Sequence, residues 1–541
     1  MATTQRLLDT FDHVVVLMME NRSFDNLFGH LYDGYVLPMG KTFEGAKGQW
    51  NPDYKGHSHI ATSLTRDPHE PYPDPGEFFK NVVTQLYGKT YEPPDESHDP
   101  TNKPLDPTSA TPTMNGFVLD YYNVLRDLTE NKSLCWRWPL DPGWYSPKIM
   151  KCFDPVAIPA LATLARDFAV FDHWFCALPS ETWPNRAFWH AATSWGFADM
   201  PLNDKEWNLS RWLESSNTGT LFSLLDEKFD KDTDNWCIYS DMPISATELI
   251  HLGSFHHPFK KAKVLHRHFQ YVAPSGPNFF TDCAKGKLPK YSFLEPHMFN
   301  FMPPEYWHND MHPSEWMHAW HWMFLAQGGP GSVLLGDHLI WQVYEAIRSS
   351  PRHDRTLFII TFDEHGGCFD HVPPPKATPP GNLPEQTQYG FEFKRLGVRV
   401  PMVMISSHIA PGTIVNDPMH HCSFLKTMQK KWDLGSLGPR QDNAPCFADA
   451  VFSDTPRAWP DHSNIYAGHK AIARAKAKPP KLKRDQPLSR LQSLIVAATH
   501  VHLCNLGHAS PEEPPKMATQ GDAHDFFERY GDLLKKTRHG D

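Results

Sequence analysis

Glu20 and Asn21 close the apolar run HVVVLMM inside MMENRSFDNLFG, so a carboxylate and an amide leave one strand end together. Asp363 and Glu364 close a second run, Leu357 to Phe362, and are followed by His365 and two glycines in TFDEHGGCFDHVPPP. All four side chains offer oxygen ligands. Two strand-terminal acidic sites at one sheet edge repel strongly once desolvated unless a cation neutralises them, so the pattern predicts a metal. The third element is Thr182 in LPSETWPNRAFWH, just ahead of Pro184, Asn185 and Arg186. A hydroxyl at a helix N-terminus sits where backbone N–H groups and the helix dipole favour a phosphate. Taken singly, each acidic pair is equally a solvated loop or a helix cap, and Thr182 is a plain N-cap. One cation that lowers the pKa of the hydroxyl accounts for all three, and the chemistry they could perform together is attack of Thr182 on phosphorus. An oxygen-rich set of this kind suits one hard or borderline divalent ion rather than a thiolate-loving one.

Positioning these residues requires a sheet. Short apolar runs rich in β-branched and aromatic residues end in polar residues and are followed by helix-like patterns, the mark of parallel strands with crossover helices. The clearest are His13 to Met19, Phe168 to Phe175, Leu357 to Phe362 and Val398 to Ile405, with Trp236 to Tyr239 and Tyr291 to Leu294 as weaker candidates. PNRAFWHAATSW, with Pro184 suited to a first turn, and GDHLIWQVYEAIRSS, with Leu339, Val343 and Ile347 at helical spacing, predict helices. The fold class is therefore α/β, and in open parallel sheets the ligand site lies outside the carboxyl ends of the strands. Two Pro- and His-rich stretches, 40–113 and 296–331, lack periodicity and read as long loop insertions over that edge. A catalytic domain over 1–455 and a C-terminal appendage over 456–541, a basic linker plus a helical tail, make up the expected organisation.

Composition narrows the function classes. The chain has 541 residues, of which 40% are hydrophobic and 21% charged, an ordinary globular balance that excludes disorder or a fibrous repeat. Fifty prolines and 13% aromatics fit rigid, aromatic-lined loops. A net charge of −10 excludes a general nucleic-acid binder. The nine cysteines are scattered from Cys135 and Cys152 to Cys446 and Cys504 with no CxxC pair, and read as reduced thiols. No signal-peptide pattern and no run near the ~20 apolar residues of a membrane span is present, which predicts cytoplasmic residence, with export by a signal-independent secretion machine as the alternative.

In ordered blocks from Val14 to Ser423 the chain resembles the phosphoesterase family of phospholipases C, bacterial and plant non-specific, and Francisella-type acid phosphatases. HVVVLMMENRSFDNLFG, DPHE, MNGF, FAVFDHWF, TWPNR, EPH, NDMHP, GDHLIWQVYEAI, TFDEHGGCFDHVPPP and GVRVPMVMISSH carry the resemblance. It implies an alkaline-phosphatase-like central mixed, mostly parallel sheet sandwiched by helices, and a covalent phospho-enzyme. It also implies that Glu20, Asn21, Asp363, Glu364 and Thr182 hold the metal, with Thr182 the nucleophile and His297 and His365 around the transferring phosphoryl group. His69, Asn185, His371 and His421 are further candidates for the phosphate site, and His312 and His338 for support. Three departures stand out: Ser180 and Glu181 where relatives carry Gly or Pro before the nucleophile, Asn115 where many have Asp, and His420 where Asp is common. The first makes Ser180 a rival hydroxyl, and the last favours one metal over two. The substrate would be a phospholipid, cleaved as by a phospholipase C, or a soluble phosphomonoester. Aromatics in 135–145 and 301–323 could cage a choline headgroup, and the basic segment from Lys470 to Arg484 could touch anionic lipid. A relative that binds phosphorylated ligands without catalysis is the reading of another class.

Overall fold

The computed structural model describes residues 2–61, 64–91, 110–130, 141–201, 206–229, 235–253, 262–263, 278–299, 308–313, 332–470, 472, 482 and 484–539. Most of the aromatic runs in 135–145 and 301–323, and most of the basic segment between Lys470 and Arg484, lie outside the described residues.

Among the described residues, eight strands build the central sheet: β1 His13–Met19, β2 Ala169–Phe171, β3 Trp236–Ser240, β4 Ala262–Lys263, β5 Tyr291–Glu295, β6 Thr356–Phe362, β7 Met402–Ile405 and β8 Thr413–Val415. Their order is β8-β2-β7-β6-β1-β5-β3-β4. β1 lies between β5 and β6 and is parallel to both, whereas β7 is antiparallel to its two neighbours, so the sheet is mixed and mostly parallel. Val14 to Met19 are all buried, as a central strand covered on both faces requires. That continuous burial is why β1 reads as an unbroken apolar run. The register pairs Met19 with Phe362, so Glu20 and Asp363 emerge side by side at the carboxyl edge.

The helices needed below are α1 Phe24–Phe28, α2 Phe79–Tyr87, α3 Phe117–Glu130, α4 Thr182–Ala191, α5 Ala246–Ile250, α6 Val333–Arg348, α7 His421–Trp432, α8 Arg490–Asn505 and α9 Gln520–His539. α6 packs on β6 with Leu339, Val343 and Ile347 buried, as their spacing predicts, and α4 packs against α7. Leu491, Leu494 and Ile495 of α8 and Phe527 of α9 share an apolar cluster with Trp183, Trp195 and Trp212. Among the described residues no helix is long and apolar enough to cross a membrane. The described cysteines are free thiols, mostly buried.

Two strands differ from the sequence expectation. Phe168 to Phe175 is broken after Phe171, because the Asp172 carboxylate accepts from the Glu44 backbone N–H, from Asn416 Nδ2 and from His173 Nδ1. Trp174–Phe175 then pairs with Met419–His420 in a separate two-stranded sheet. The run from Val398 becomes a strand only at Met402, since Pro401 has no N–H to give to a ladder. The insertion over 40–113 holds α2 and a hairpin of Trp50–Pro52 with Ser58–Ile60.

Candidate active site

The carboxyl ends of three neighbouring strands deliver the acidic groups: β1 gives Glu20, β6 gives Asp363 and β5 ends on Glu295, all fully or nearly fully buried. One turn into α4, Arg186 reaches all three. Its Nη2 lies 2.6 Å from Glu20 Oε1, its Nε 2.9 Å from Asp363 Oδ2 and its Nη1 3.4 Å from Glu295 Oε1. Part of the neutralisation that the acidic pairs demand therefore comes from this guanidinium. Burial opposes its charge, but the Glu20, Asp363 and Glu295 carboxylates outweigh burial and raise its pKa.

Thr182, four residues before Arg186, is the first residue of α4 and is buried. Its Oγ1 lies 3.4 Å from Asn21 Oδ1. Asn21 takes a left-handed backbone conformation, φ 55°, which Asn tolerates better than most residues. Its backbone N–H donates to Asp363 Oδ1 at 3.2 Å. Beside it, Gly366 has φ +61°, and a Cβ there would stand 2.2 Å from the Asn21 carbonyl oxygen, so only glycine fits. Ser180, the rival hydroxyl, donates to Asp199 Oδ1 at 2.8 Å instead. Glu181, the N-cap, makes no capping hydrogen bond and accepts from the Met200 N–H, which leaves the first turn of α4 without a side-chain cap. An uncapped helix start is suited to an anion.

Negative charge exceeds what Arg186 can balance. Glu20 Oε2 and Glu364 Oε1 are buried without a hydrogen-bond partner. Burial, then the Asp363 carboxylate, push both groups well above the usual carboxylate range, although Arg186 lowers Glu20 and the Gly366 N–H lowers Glu364. Glu181 is pushed up to about 8, mainly by burial. Buried, partnerless carboxylate oxygens of this kind fit a cation. Among the described residues, two side-chain groups are gathered closely enough to share an ion: Asp25, Asp370 and His371, and Asp74, Glu77 and His312. The second adjoins the site, because Asn21 Nδ2 donates to Glu77 Oε2 at 2.7 Å. These acidic and histidine clusters are compatible with a divalent metal.

The sequence candidates fall into different places. Glu20, Asn21, Asp363 and Thr182 are brought together, and Glu364 follows Asp363. His297 leaves the same edge just after β5, with its backbone N–H on Asn309 Oδ1 at 2.6 Å. His365 sits behind Glu364, its Nδ1 3.3 Å from Glu364 Oε2, and burial lowers its pKa to about 3. Asn185 ties down the loop before the helix: its Oδ1 accepts from the Ala177 and Leu178 N–H groups, and its Nδ2 donates to the Ser180 carbonyl at 2.7 Å. His421 is bonded through Nε2 to the Asp363 carbonyl at 2.7 Å and accepts from Trp174 Nε1. His69 is nearly buried after Asp67, whose carboxylate accepts its backbone N–H.

His371 belongs to another network. Its Nδ1 is 2.6 Å from Asp25 Oδ2 and its Nε2 3.2 Å from Glu44 Oε1, while Arg399 bridges Asp25 and Asp370. Burial lowers the His371 pKa, but Asp25 outweighs it and the net shift is upward from 6.5. Burial raises Asp25, yet Arg399 and His371 outweigh it and hold the carboxyl below 3.8. A raised histidine pKa adds stability that is complete below the unfolded value and is lost as pH rises through the folded value. The depressed Asp25 adds stability present above its unfolded value and lost as pH falls through the folded one. The pair thus stabilises the fold most between those limits. We expect the melting temperature to fall on the alkaline side of 6.5 and His371→Gln to flatten that fall, read from thermal melts from neutral to alkaline pH. Equal slopes for wild type and variant would refute the assignment.

Arg186, Glu295 and Glu77 were not assigned from sequence. Arg186 and Glu295 stand inside the TWPNR and EPH motifs, so their neighbours were the signal. Glu77 lies in an aperiodic stretch that gave none.

The phosphoesterase family model matches residues 11–435. Non-specific phospholipase C4 of Arabidopsis thaliana is 32% identical over 460 residues, covering 82% of this chain and 72% of that protein. Non-specific phospholipase C6 of the same plant is 31% identical over 538 residues, covering 95% and 85%. Phospholipase C B of Mycobacterium tuberculosis is 24% identical over 483 residues, covering 83% and 77%. Among solved structures, a protein in the alkaline phosphatase superfamily from Vibrio parahaemolyticus is 14% identical with a TM-score of 0.30, over 53% of this chain and 64% of that one.

Proposed function

The chain belongs to the phosphoesterase family and is a hydrolase of phosphoric ester bonds, and on that premise we propose that it is a phospholipase C with Thr182 as nucleophile. Its substrates would be glycerophospholipids, split into diacylglycerol and a phosphorylated headgroup. The observation that carries this reading is the contrast between two hydroxyls: Ser180 is engaged by Asp199, whereas Thr182 opens an uncapped helix and lies beside Asn21. The plant and mycobacterial relatives are phospholipases C by name, which supports a phospholipid over a soluble monoester.

Glu20, Asn21, Asp363, Glu364 and Thr182 would hold one divalent ion. Bound there, such an ion supplies positive charge that lowers the pKa of the hydroxyl and offsets charge on the phosphoryl oxygens. Thr182 Oγ1 gives up its proton to solvent and attacks phosphorus in line, and its new O–P bond forms as the bond to the glyceryl oxygen breaks. His297 gives that oxygen its proton, a task suited to an imidazole. Water then frees the phosphorylated headgroup from Thr182. The Thr182 and Trp183 N–H groups at the start of α4 would serve phosphoryl oxygens, Pro184 having none to give, and Arg186 fixes the orientation of Glu20 and Asp363. Asn185 holds the nucleophile loop, and His421 holds the Asp363 backbone. His69 is kept as a candidate contact for the phosphoryl group, and His371 is assigned to the scaffold. Such a substrate lies at a lipid surface, so the contact with the membrane would be peripheral.

Phosphatidylcholine vesicles and p-nitrophenyl phosphate, each offered with and without chelator, test the reading. The expected result is diacylglycerol release that stops on chelation and returns with added divalent ion. Cleavage of p-nitrophenyl phosphate alone would make the protein an acid phosphatase on soluble monoesters. Silence on both with metal present would leave a phosphate-binding relative.

A further inference from the structure

Large apolar side chains stand in water on two elements that pack against each other. In the hairpin of Trp50–Pro52 with Ser58–Ile60, Trp50 pairs directly with Ile60, so both point to one face and Asn51 points to the other. Asn51 holds the inner face. Its Nδ2 donates to the Met114 carbonyl at 2.6 Å, and its Oδ1 accepts from the Val118 N–H of α3. The outer face leaves Trp50 49% and Ile60 53% exposed. Where the hairpin turns, the Tyr54 ring stacks on Tyr122 of α3, centroids 4.1 Å apart. The one-turn helix Pro142–Tyr145 lies against that turn, since a Cβ on Gly143 would stand 2.9 Å from Tyr54 Oη. The next residue, Trp144, is 71% exposed.

Lysines accompany these rings. Lys47 and Lys55 are exposed, and Lys55 Nζ lies 5.1 Å from the Tyr54 ring centre. The acids beside them face backbone N–H groups: Asp53 accepts from Lys55 and His57, and Asp141 from Gly143 and Trp144. Lys148 Nζ stands 5.0 Å from the Trp144 ring centre and 4.0 Å from that of Tyr145, so a cation of the chain itself, rather than a choline, meets those two rings. Tryptophan and tyrosine settle at the boundary between bilayer and water, and lysine stems lie along apolar surface while their ammonium groups reach the headgroups.

This surface is tied to the catalytic edge. Tyr145 Oη donates to the Tyr72 carbonyl at 2.6 Å and Tyr121 Oη to the Pro73 carbonyl at 2.7 Å. The same strap continues to Gly76, whose carbonyl oxygen would stand 2.4 Å from a Cβ on Gly367, just past β6, and to Glu77, which accepts from Asn21. Resting on the reading that the substrate is a phospholipid, we infer that the hairpin and the one-turn helix are the surface by which the protein seats on an anionic lipid bilayer. Trp50, Ile60 and Trp144 enter the headgroup layer, and Lys47 and Lys55 lie against its negative charge.

Sedimentation of the full chain with sucrose-loaded vesicles, in chelator so that binding is read without turnover, tests this. Wild type should bind phosphatidylcholine vesicles more tightly when they contain phosphatidylserine, and added salt should weaken the difference. Trp144→Ser, and separately Trp50→Ser/Ile60→Ser, should lower partitioning by about tenfold or more on both kinds of vesicle. Lys47→Gln/Lys55→Gln should lower it on the anionic vesicles alone, by about fivefold for each lysine. On a short-chain phosphatidylcholine kept below its micelle concentration, with metal restored, kcat/KM should stay within about twofold of wild type in every variant. If the paired serine variant does not fold, Trp144→Ser and the lysine variant decide. Vesicle binding unchanged in both, no vesicle binding by wild type, or an equal loss on the monomeric lipid overturns the inference. A wild-type dimer that Trp144→Ser separates, with vesicle binding unchanged, also overturns it and gives the face to a second copy. Vesicle binding that the variants lose, with no lipid hydrolysed by wild type, would sink the phospholipase reading and leave the lipid surface in place.

Discussion

Thr182→Ala is expected to reduce kcat by about 10⁴-fold or more, since loss of a nucleophile leaves only binding and electrostatic residues of catalysis. The loss should appear in kcat, with KM little altered, because Oγ1 contributes chiefly to the transition state. Ser180→Ala is the matched control. It removes one hydrogen bond to Asp199, which also accepts from the Phe79 N–H and from Tyr389 Oη, so about 1 kcal/mol of stability and little activity should be lost. Acid quenching during turnover and peptide mass mapping should find the phosphoryl adduct on Thr182. An adduct on Ser180, or activity that survives Thr182→Ala and not Ser180→Ala, would move the nucleophile two residues upstream and remove the argument from Asn21.

Arg186→Leu should have the largest effect on the fold. It leaves Glu20, Asp363 and Glu295 buried with no guanidinium between them, and breaking a buried ion network from one side costs about 3–5 kcal/mol. In divalent-free buffer the urea midpoint should drop with an unchanged slope. Added divalent ion should recover more stability in the variant than in wild type, because it would then supply most of the counter-charge at the edge. Identical ion responses in the two proteins would show that Arg186 and the proposed ion do not share those carboxylates.

The frame was legible because its central strands are buried on both faces. β1 is an apolar run from Val14 to Met19 and β6 one from Leu357 to Phe362 broken only by Thr361, and both stop on acidic residues. Thr182 was legible from its place before Pro184. Arg186 was not, since an arginine one turn into a helix looks like any solvated one until the sheet brings three carboxylates to it. Glu77 and Gln85 come from the Pro-rich stretch over 40–113, where Phe79, Val82, Val83, Leu86 and Tyr87 of α2 do stand at helical spacing, a short signal easily overlooked among the surrounding prolines, while Asn81 and Gln85 are polar positions buried by partners outside the helix. The break at Asp172 depends on Glu44 and Asn416, partners far away in sequence and invisible in a local window.

The partnership of β1 with β6 also sets a timetable for synthesis. Asn21 and Asp363 hydrogen-bond across 342 residues of chain. At a ribosomal rate of about 5–20 residues per second, HVVVLMM therefore waits roughly 20–70 s for the strand that will cover its edge. During that interval a seven-residue apolar strand without proline or charge is a ready substrate for chaperones, and for neighbouring nascent chains on the same message. Yield in a host should accordingly depend on chaperone supply and translation speed more than on the stability of the finished sheet.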